Sequence, residues 1–308
     1  MSSSFAPDRR RSAVLGVKPG RKSNLGFAIA CVLVPTLVLI AALSLRARYG
    51  LAVPSTSTPL VVIHARDYTF DFPDTLPAGL VRLRVVNEGA TPHHAVLTRL
   101  EGGRKAGDYL AGVAAFLRGG DFPGWGDDPG GPGLVMPGDS ADVTVTLAPG
   151  HYVVACYVRT PTGVMHLQKG MVREFDVVAT PGALSVSPPQ ADVTIELMDY
   201  AFALSSPITT GNHTIHVVNR GPQEHEVQFV RLEPGHTQEE AMAWLEGGMQ
   251  GPAPLRFEGG LVGISAGRDG YVRQAFVPGD YLLLCFVPDQ TDGRPHALHG
   301  MLYAIHVT

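Results

Sequence analysis

Cysteine is scarce in this chain: its 308 residues include three. Cys31 lies in an uncharged apolar run, which leaves Cys156 and Cys285, one in each half of the remainder. An oxidising compartment would allow one bridge between them, but an internal repeat gives each a place in its own half. Charge is also thin, at 17% of residues, and aromatics stand at 7%. The chain is still too apolar to be disordered. A surplus of positive charge is missing from most of its length. Residues 1–24 hold Arg9, Arg10, Arg11, Lys18, Arg21 and Lys22 against Asp8, a surplus of five. With a net charge of −4 overall, everything beyond carries nine negative charges in excess. An acidic body argues against nucleic acid as the partner.

What the chain has in quantity is Gly (36) and Pro (25), a balance that suits turn-rich β domains better than helical bundles. It also has one long apolar run. Residues 25–45, LGFAIACVLVPTLVLIAALSL, are 21 positions without a charge, long enough to span a bilayer. Pro35 is tolerable in such a helix. Six basic residues precede the run and Arg46 and Arg48 follow it. The positive-inside rule then makes 1–24 a cytoplasmic tail, 25–45 a single-pass cell-membrane anchor, and all that follows extracytoplasmic, periplasmic or outer. A cleaved signal peptide is the alternative, but the run is long and no clear A-x-A site follows it.

The rest of the chain repeats itself. ARDY at 65–68 answers LMDY at 197–200, and VVNEG at 85–89 answers VVNRG at 217–221. APGHYVVACYV at 148–158 answers VPGDYLLLCFV at 277–287, and GMV at 170–172 answers GML at 300–302. The offsets stay between 129 and 132 over the whole length, which marks a duplication. The expected organisation is a spacer at 46–57, one domain at 58–180, a Pro/Gly/Ser linker at 181–190 and a second domain at 191–308. Short alternating runs such as VRLRVV (81–86) and DVTVTL (142–147), bounded by Gly and Pro, read as strands. Each repeat carries one helical insert, Gly107–Leu117 in the first and Thr237–Glu246 in the second, with Thr237 as N-cap.

Each repeat also places the same four residue types in the same order. The first has His93, Cys156, His166 and Met171; the second has His225, Cys285, His296 and Met301. Two imidazoles, a thiolate and a weak thioether form a blue-copper ligand set, one mononuclear site per domain. Taken singly, such a Cys or Met is ordinary core and such a His is a solvated loop residue; the ordered recurrence is what carries the reading. His94, Met165 and His299 stand beside these positions as alternative ligands. Asp67 and Asp199 also recur, with a structural role expected.

The two repeats resemble the cupredoxin family. The pattern N-x-G-x3-H is present as Asn87-Gly89-His93 and Asn219-Gly221-His225, and P-G-x-Y-x3-C as Pro149–Cys156 and Pro278–Cys285. The loops beyond read C-x9-H-x4-M and C-x10-H-x4-M, most similar to the type 1 site of copper nitrite reductases. The resemblance implies an all-β chain of two tandem Greek-key β-sandwiches, copper as cofactor, and electron transfer to or from a redox partner protein. It also implies loop histidines near the surface, with Val164, Met165 and Leu167 around His166 and Pro295, Ala297 and Leu298 around His296. No His adjoins either Cys, and paired H-x-H motifs are missing, which speaks against a nitrite reductase or multicopper oxidase. Copper sequestration or delivery, and a metal-free interaction module, are the other readings.

Overall fold

Apolar residues at every second position shape the strands: β1 (Leu60–Arg66) buries Val61, Ile63 and Ala65 and turns the residues between them outward. The computed structural model describes residues 57–120, 124–179 and 186–308. The basic segment, the apolar run 25–45, nearly all of the spacer and half of the linker lie outside them. Among the described residues, no helix is long and apolar enough to cross a membrane.

The first half continues with β2 (Thr69–Asp71), β3 (Thr75–Pro77), β4 (Gly79–Asn87), β5 (Val96–Leu100), β6 (Gly126–Asp127), β7 (Pro129–Pro132), β8 (Ser140–Leu147), β9 (Gly150–Ala155) and β10 (Val172–Val178). The second half supplies β11 (Val193–Met198), β12 (Ala201–Leu204), β13 (Gly211–Asn219), β14 (His225–Leu232), β15 (Leu255–Ile264), β16 (Asp269–Phe276), β17 (Gly279–Leu284) and β18 (Leu302–Val307). Among the described residues, two short α-helices interrupt them. Gln238–Glu246 starts at Thr237, whose hydroxyl accepts the Glu240 N–H at 3.2 Å while the Glu240 carboxylate accepts the Thr237 N–H at 3.0 Å. The other helix is Ala106–Phe116, one residue earlier at each end than the sequence pattern gives. The Asp108 carboxylate takes the Lys105 N–H and Glu174 takes the Ala106 N–H, which fixes the earlier start.

Among the described residues, the strands form three sheets. One runs β12-β11-β13-β16-β8-β4-β1-β2 through both halves; the others are β3-β10-β9-β5-β6 and β18-β17-β14-β15-β7. Inward side chains of the long sheet, such as Val81, Leu83 and Val143, share one core with Leu97, Tyr152 and Val154 of the opposing sheet. The architecture is a pair of β-sandwiches. The pairs that join the halves connect duplicated positions. Val143 of β8 lies opposite Val272 of β16, and Pro132 of β7 opposite Leu261 of β15. Both pairs differ by 129 in number, the offset between the two cysteines. The halves therefore meet as a two-fold dimer would, inside one chain. Asp128 and Ser265 tie the join with two reciprocal bonds of 2.9 and 3.0 Å, N–H to Oγ and N–H to C=O.

Buried side chains hold the ends of the strands that matter for the site. Tyr152 donates from its hydroxyl to the Ala148 carbonyl at 2.8 Å, and Tyr281 does the same to Val277 at 3.2 Å. These are tyrosine corners, and they explain the Tyr of P-G-x-Y. Asn87, 1% exposed, donates to the carbonyls of Thr91 and Val135 and accepts the Gly89 N–H. Asn219 repeats all three bonds with Gln223, Ile264 and Gly221. Replacing either Asn by Ala strands buried polar backbone, and the expected loss is about 3 kcal/mol. Denaturant unfolding of Asn87→Ala and Asn219→Ala checks it; a loss under about 1 kcal/mol would contradict the anchoring role.

Candidate metal centres

The Asn anchor shapes the turn that delivers the first histidine of each half. His93 is held to Val135 by reciprocal backbone bonds, and His225 pairs with Ile264 in the same way along β14 and β15. The cysteines follow β9 and β17 directly, inside the sandwich. The second histidine opens a 3-10 turn, His166–Lys169 or His296–His299. That turn is tied back to the cysteine strand. His166 N–H donates to Val158 O, Leu167 N–H to Cys156 O, and Cys156 N–H to Met171 O; the second half repeats the pattern with Val287, Ala297, Cys285 and Met301. Gly170 and Gly300 end the turns at φ 107° and 104°, which explains the Gly of the G-M pair.

The structure brings His93, Cys156 and His166 together in the first half, and His225, Cys285 and His296 in the second. All six are 0% exposed. In the first trio, Cys156 Sγ lies 3.8 Å from His93 Nδ1 and 3.6 Å from His166 Nδ1, with 3.2 Å between the nitrogens. In the second the corresponding distances are 4.0, 3.5 and 3.1 Å. The circle through the three donor atoms has a radius of about 2.1 Å in both halves, the length of a metal–imidazole bond. Both cysteines are free thiols, so the disulfide reading is excluded.

Met171 and Met301 are fully buried. Each joins its cysteine through the backbone bonds above and shares its core cluster. Met165 instead packs under the helix Ala106–Phe116 with Leu100, Tyr109 and Val113. His94 turns away from the trio: its Nε2 accepts the Tyr157 N–H at 2.8 Å. Its counterpart Glu226 accepts the Phe286 N–H at 2.8 Å. His299 bonds to Asp292 at 3.1 Å and lies against Tyr200.

Two expectations change. Asp67 and Asp199 are more than scaffold: Asp67 Oδ1 lies 2.8 Å from His93 Nε2, and Asp199 Oδ1 lies 2.6 Å from His225 Nε2. A carboxylate there accepts the Nε2–H, fixes the tautomer and leaves Nδ1 as the donor facing the thiol. Gly89 makes room for this bond. A Cβ on it would stand 2.6 Å from both Asp67 Oδ1 and His93 Nε2, and Gly221 is equally tight. The recurring Asp-Tyr pair and the recurring Gly were the sequence signals for it. The second change concerns the loop histidines, which are not at the surface. Tyr68 lies edge-on to His166 at 5.0 Å between ring centroids, and Tyr200 to His296 at 5.4 Å. Met165 and Leu167 are buried as well, and of the residues expected to flank His166 only Val164 is well exposed.

Burial sets the protonation states. It pushes the Cys156 thiol up to about 12 and the Cys285 thiol well above its ordinary value. It lowers His166 and His296 to about 4, each helped by its neighbouring ligand histidine, so neutral imidazoles face the thiol at pH 7. The trio fits a metal that takes two nitrogens and a thiolate in one plane. A closed structural zinc site asks for a fourth strong ligand. The buried residue tied by its backbone to each cysteine is a methionine, Met171 or Met301, a residue type that suits copper. A third group, Asp289, Asp292 and His299, sits in the loop after Cys285. It is closed on itself: Asp289 accepts from Tyr200, Gln223 and Thr291, and Asp292 accepts from Arg294 and His299.

Among solved structures, the chain is similar to auracyanin from Roseiflexus castenholzii, with 23% identity over 41% of this chain and 100% of that one and a TM-score of 0.26. Auracyanin A of Chloroflexus aurantiacus, described as a blue copper protein, gives 20% identity, 40% and 100% coverage and a TM-score of 0.29. The copper-containing nitrite reductase of Thermus scotoductus gives 14% identity over 82% of this chain and 62% of that one, with a TM-score of 0.24. No family model and no curated protein matches the chain. The sandwiches, the strand-end loops and the two His/Cys/His trios make the fold cupredoxin-like.

Proposed function

We propose that this chain is an electron-transfer protein with two type 1 copper centres, one in each sandwich. His93, Cys156 and His166 would hold one ion and His225, Cys285 and His296 the other, with Met171 and Met301 as weak thioether donors. Copper would supply one-electron chemistry between Cu(I) and Cu(II). The chain's part is to hold the donors still: Asp67 and Asp199 orient two of the imidazoles, and backbone bonds clamp the loops to the cysteine strands. A rigid donor plane limits rearrangement between the two oxidation states. The observation that carries this reading is the convergence of each trio on one point, twice, at bonding distance.

The uncharged run 25–45 would tether both sandwiches to the extracytoplasmic face of the cell membrane, within reach of a redox partner protein. Domain limits at 58–180 and 191–308 would then divide the copper sites one to each repeat. Copper loading of the full chain tests the reading. The expected result is an intense visible thiolate-to-copper band that bleaches on reduction. Tightly bound copper without that band would support sequestration instead, and no binding would leave a metal-free module.

A further inference from the structure

The duplication makes each centre a control for the other. Asp67–His93 and Asp199–His225 are matched, so their electrostatic effects cancel in the comparison. The surroundings of the second histidine are not matched. Asp289 occupies the place that Thr160 holds in the first half, four residues beyond the cysteine. Its Oδ2 lies 3.7 Å from His296 Nε2, and both side chains are 0% exposed. The Asp289 carboxylate accepts hydrogen bonds from the Tyr200 hydroxyl, the Gln223 amide and the Thr291 N–H and hydroxyl, so it stands beside the ligand as an anion held by donors. Lys169 occupies the place of His299. Its Nζ lies 4.5 Å above the Tyr68 ring, whose edge packs on His166. In the second half the same place holds an imidazole bonded to Asp292.

Resting on the reading above, we infer that the two centres are tuned apart, with the second (His225, Cys285, His296) at a lower reduction potential than the first (His93, Cys156, His166). Negative charge near a metal favours its higher oxidation state, and positive charge favours the lower one. Asp289 therefore lowers the potential of the second centre, and Lys169 raises that of the first. Both differences act in one direction. The first electron to enter the chain would reside in the first half.

A redox titration of the copper-loaded full chain, followed at the thiolate band with ferricyanide and ferrocyanide as the one-electron couple, tests this. Each centre takes one electron as Cu(II) becomes Cu(I). Two separate waves are expected. The oxidised-to-reduced ratio at any poise should differ at least tenfold between them, which is about 59 mV. Asp289→Asn should raise the lower wave alone, and Lys169→Gln should lower the upper wave alone. Because Asp289 also braces its loop, Thr160→Asp gives a test in the other half: it should lower the upper wave and close the gap. Coincident waves in the native chain, or an upper wave that moves with Asp289→Asn, would overturn the inference while leaving two copper centres intact. No thiolate band at all would overturn the functional reading and this inference with it.

Discussion

Cys156→Ser and Cys285→Ser are each expected to lower bound copper from two ions per chain to one and to remove about half of the visible thiolate band; the double variant should lose both. Serine keeps the shape of the buried side chain but offers a hydroxyl that stays protonated, and the soft donor that selects copper is gone. The sites lie in separate sandwiches, and no donor is shared. Each loss should therefore be independent of the other. Copper content and the absorption spectrum read the effect, and far-UV circular dichroism shows that each variant is folded. A single substitution that empties both sites would contradict independent centres.

The second large effect belongs to residues outside the trios. Asp199→Ala leaves the Nε2–H of His225 without its acceptor, in a ring that is 0% exposed. The imidazole then loses its fixed tautomer, and copper affinity of that site should fall about 10- to 100-fold. Asp199→Asn retains an oxygen acceptor and should lose much less. Asp67→Ala should weaken the first site at least as much, because Asp67 also accepts the Ala90 N–H and the Thr91 hydroxyl that shape the His93 turn. Competition with a chelator of known affinity measures both. Equal losses for Asp199→Asn and Asp199→Ala would show that the orienting bond is not what matters.

The donors themselves were legible because three of the four sit in one loop and the whole set occurs twice. A Cys, His and Met in fixed order after a P-G-x-Y turn constrain each other, and the second copy removes coincidence. Asp67 was harder to read. It reaches His93 across 26 residues from the end of a neighbouring strand, and an isolated Asp has many uses. The depth of His166 and His296 was hidden for the same reason, since the covering rings of Tyr68 and Tyr200 come from the far end of each repeat. The joining of the halves was not legible from periodicity, which reports which face of a strand is apolar but not which strand lies beside it. β8 shows this: its sequence alternates apolar and polar residues, yet Asp142 and Thr144 are buried too, with β4 beside it on one edge and β16 of the other half on the other.

An anomalous difference map at the copper edge, from crystals of the copper-loaded chain, tests the central claim most directly. Two peaks are predicted, one inside each triangle of Nδ1, Nδ1 and Sγ atoms, at about 2.0–2.3 Å from each donor. Peaks bound through Nε2, a peak at Asp292 and His299 in place of the second trio, or both triangles without copper would contradict it.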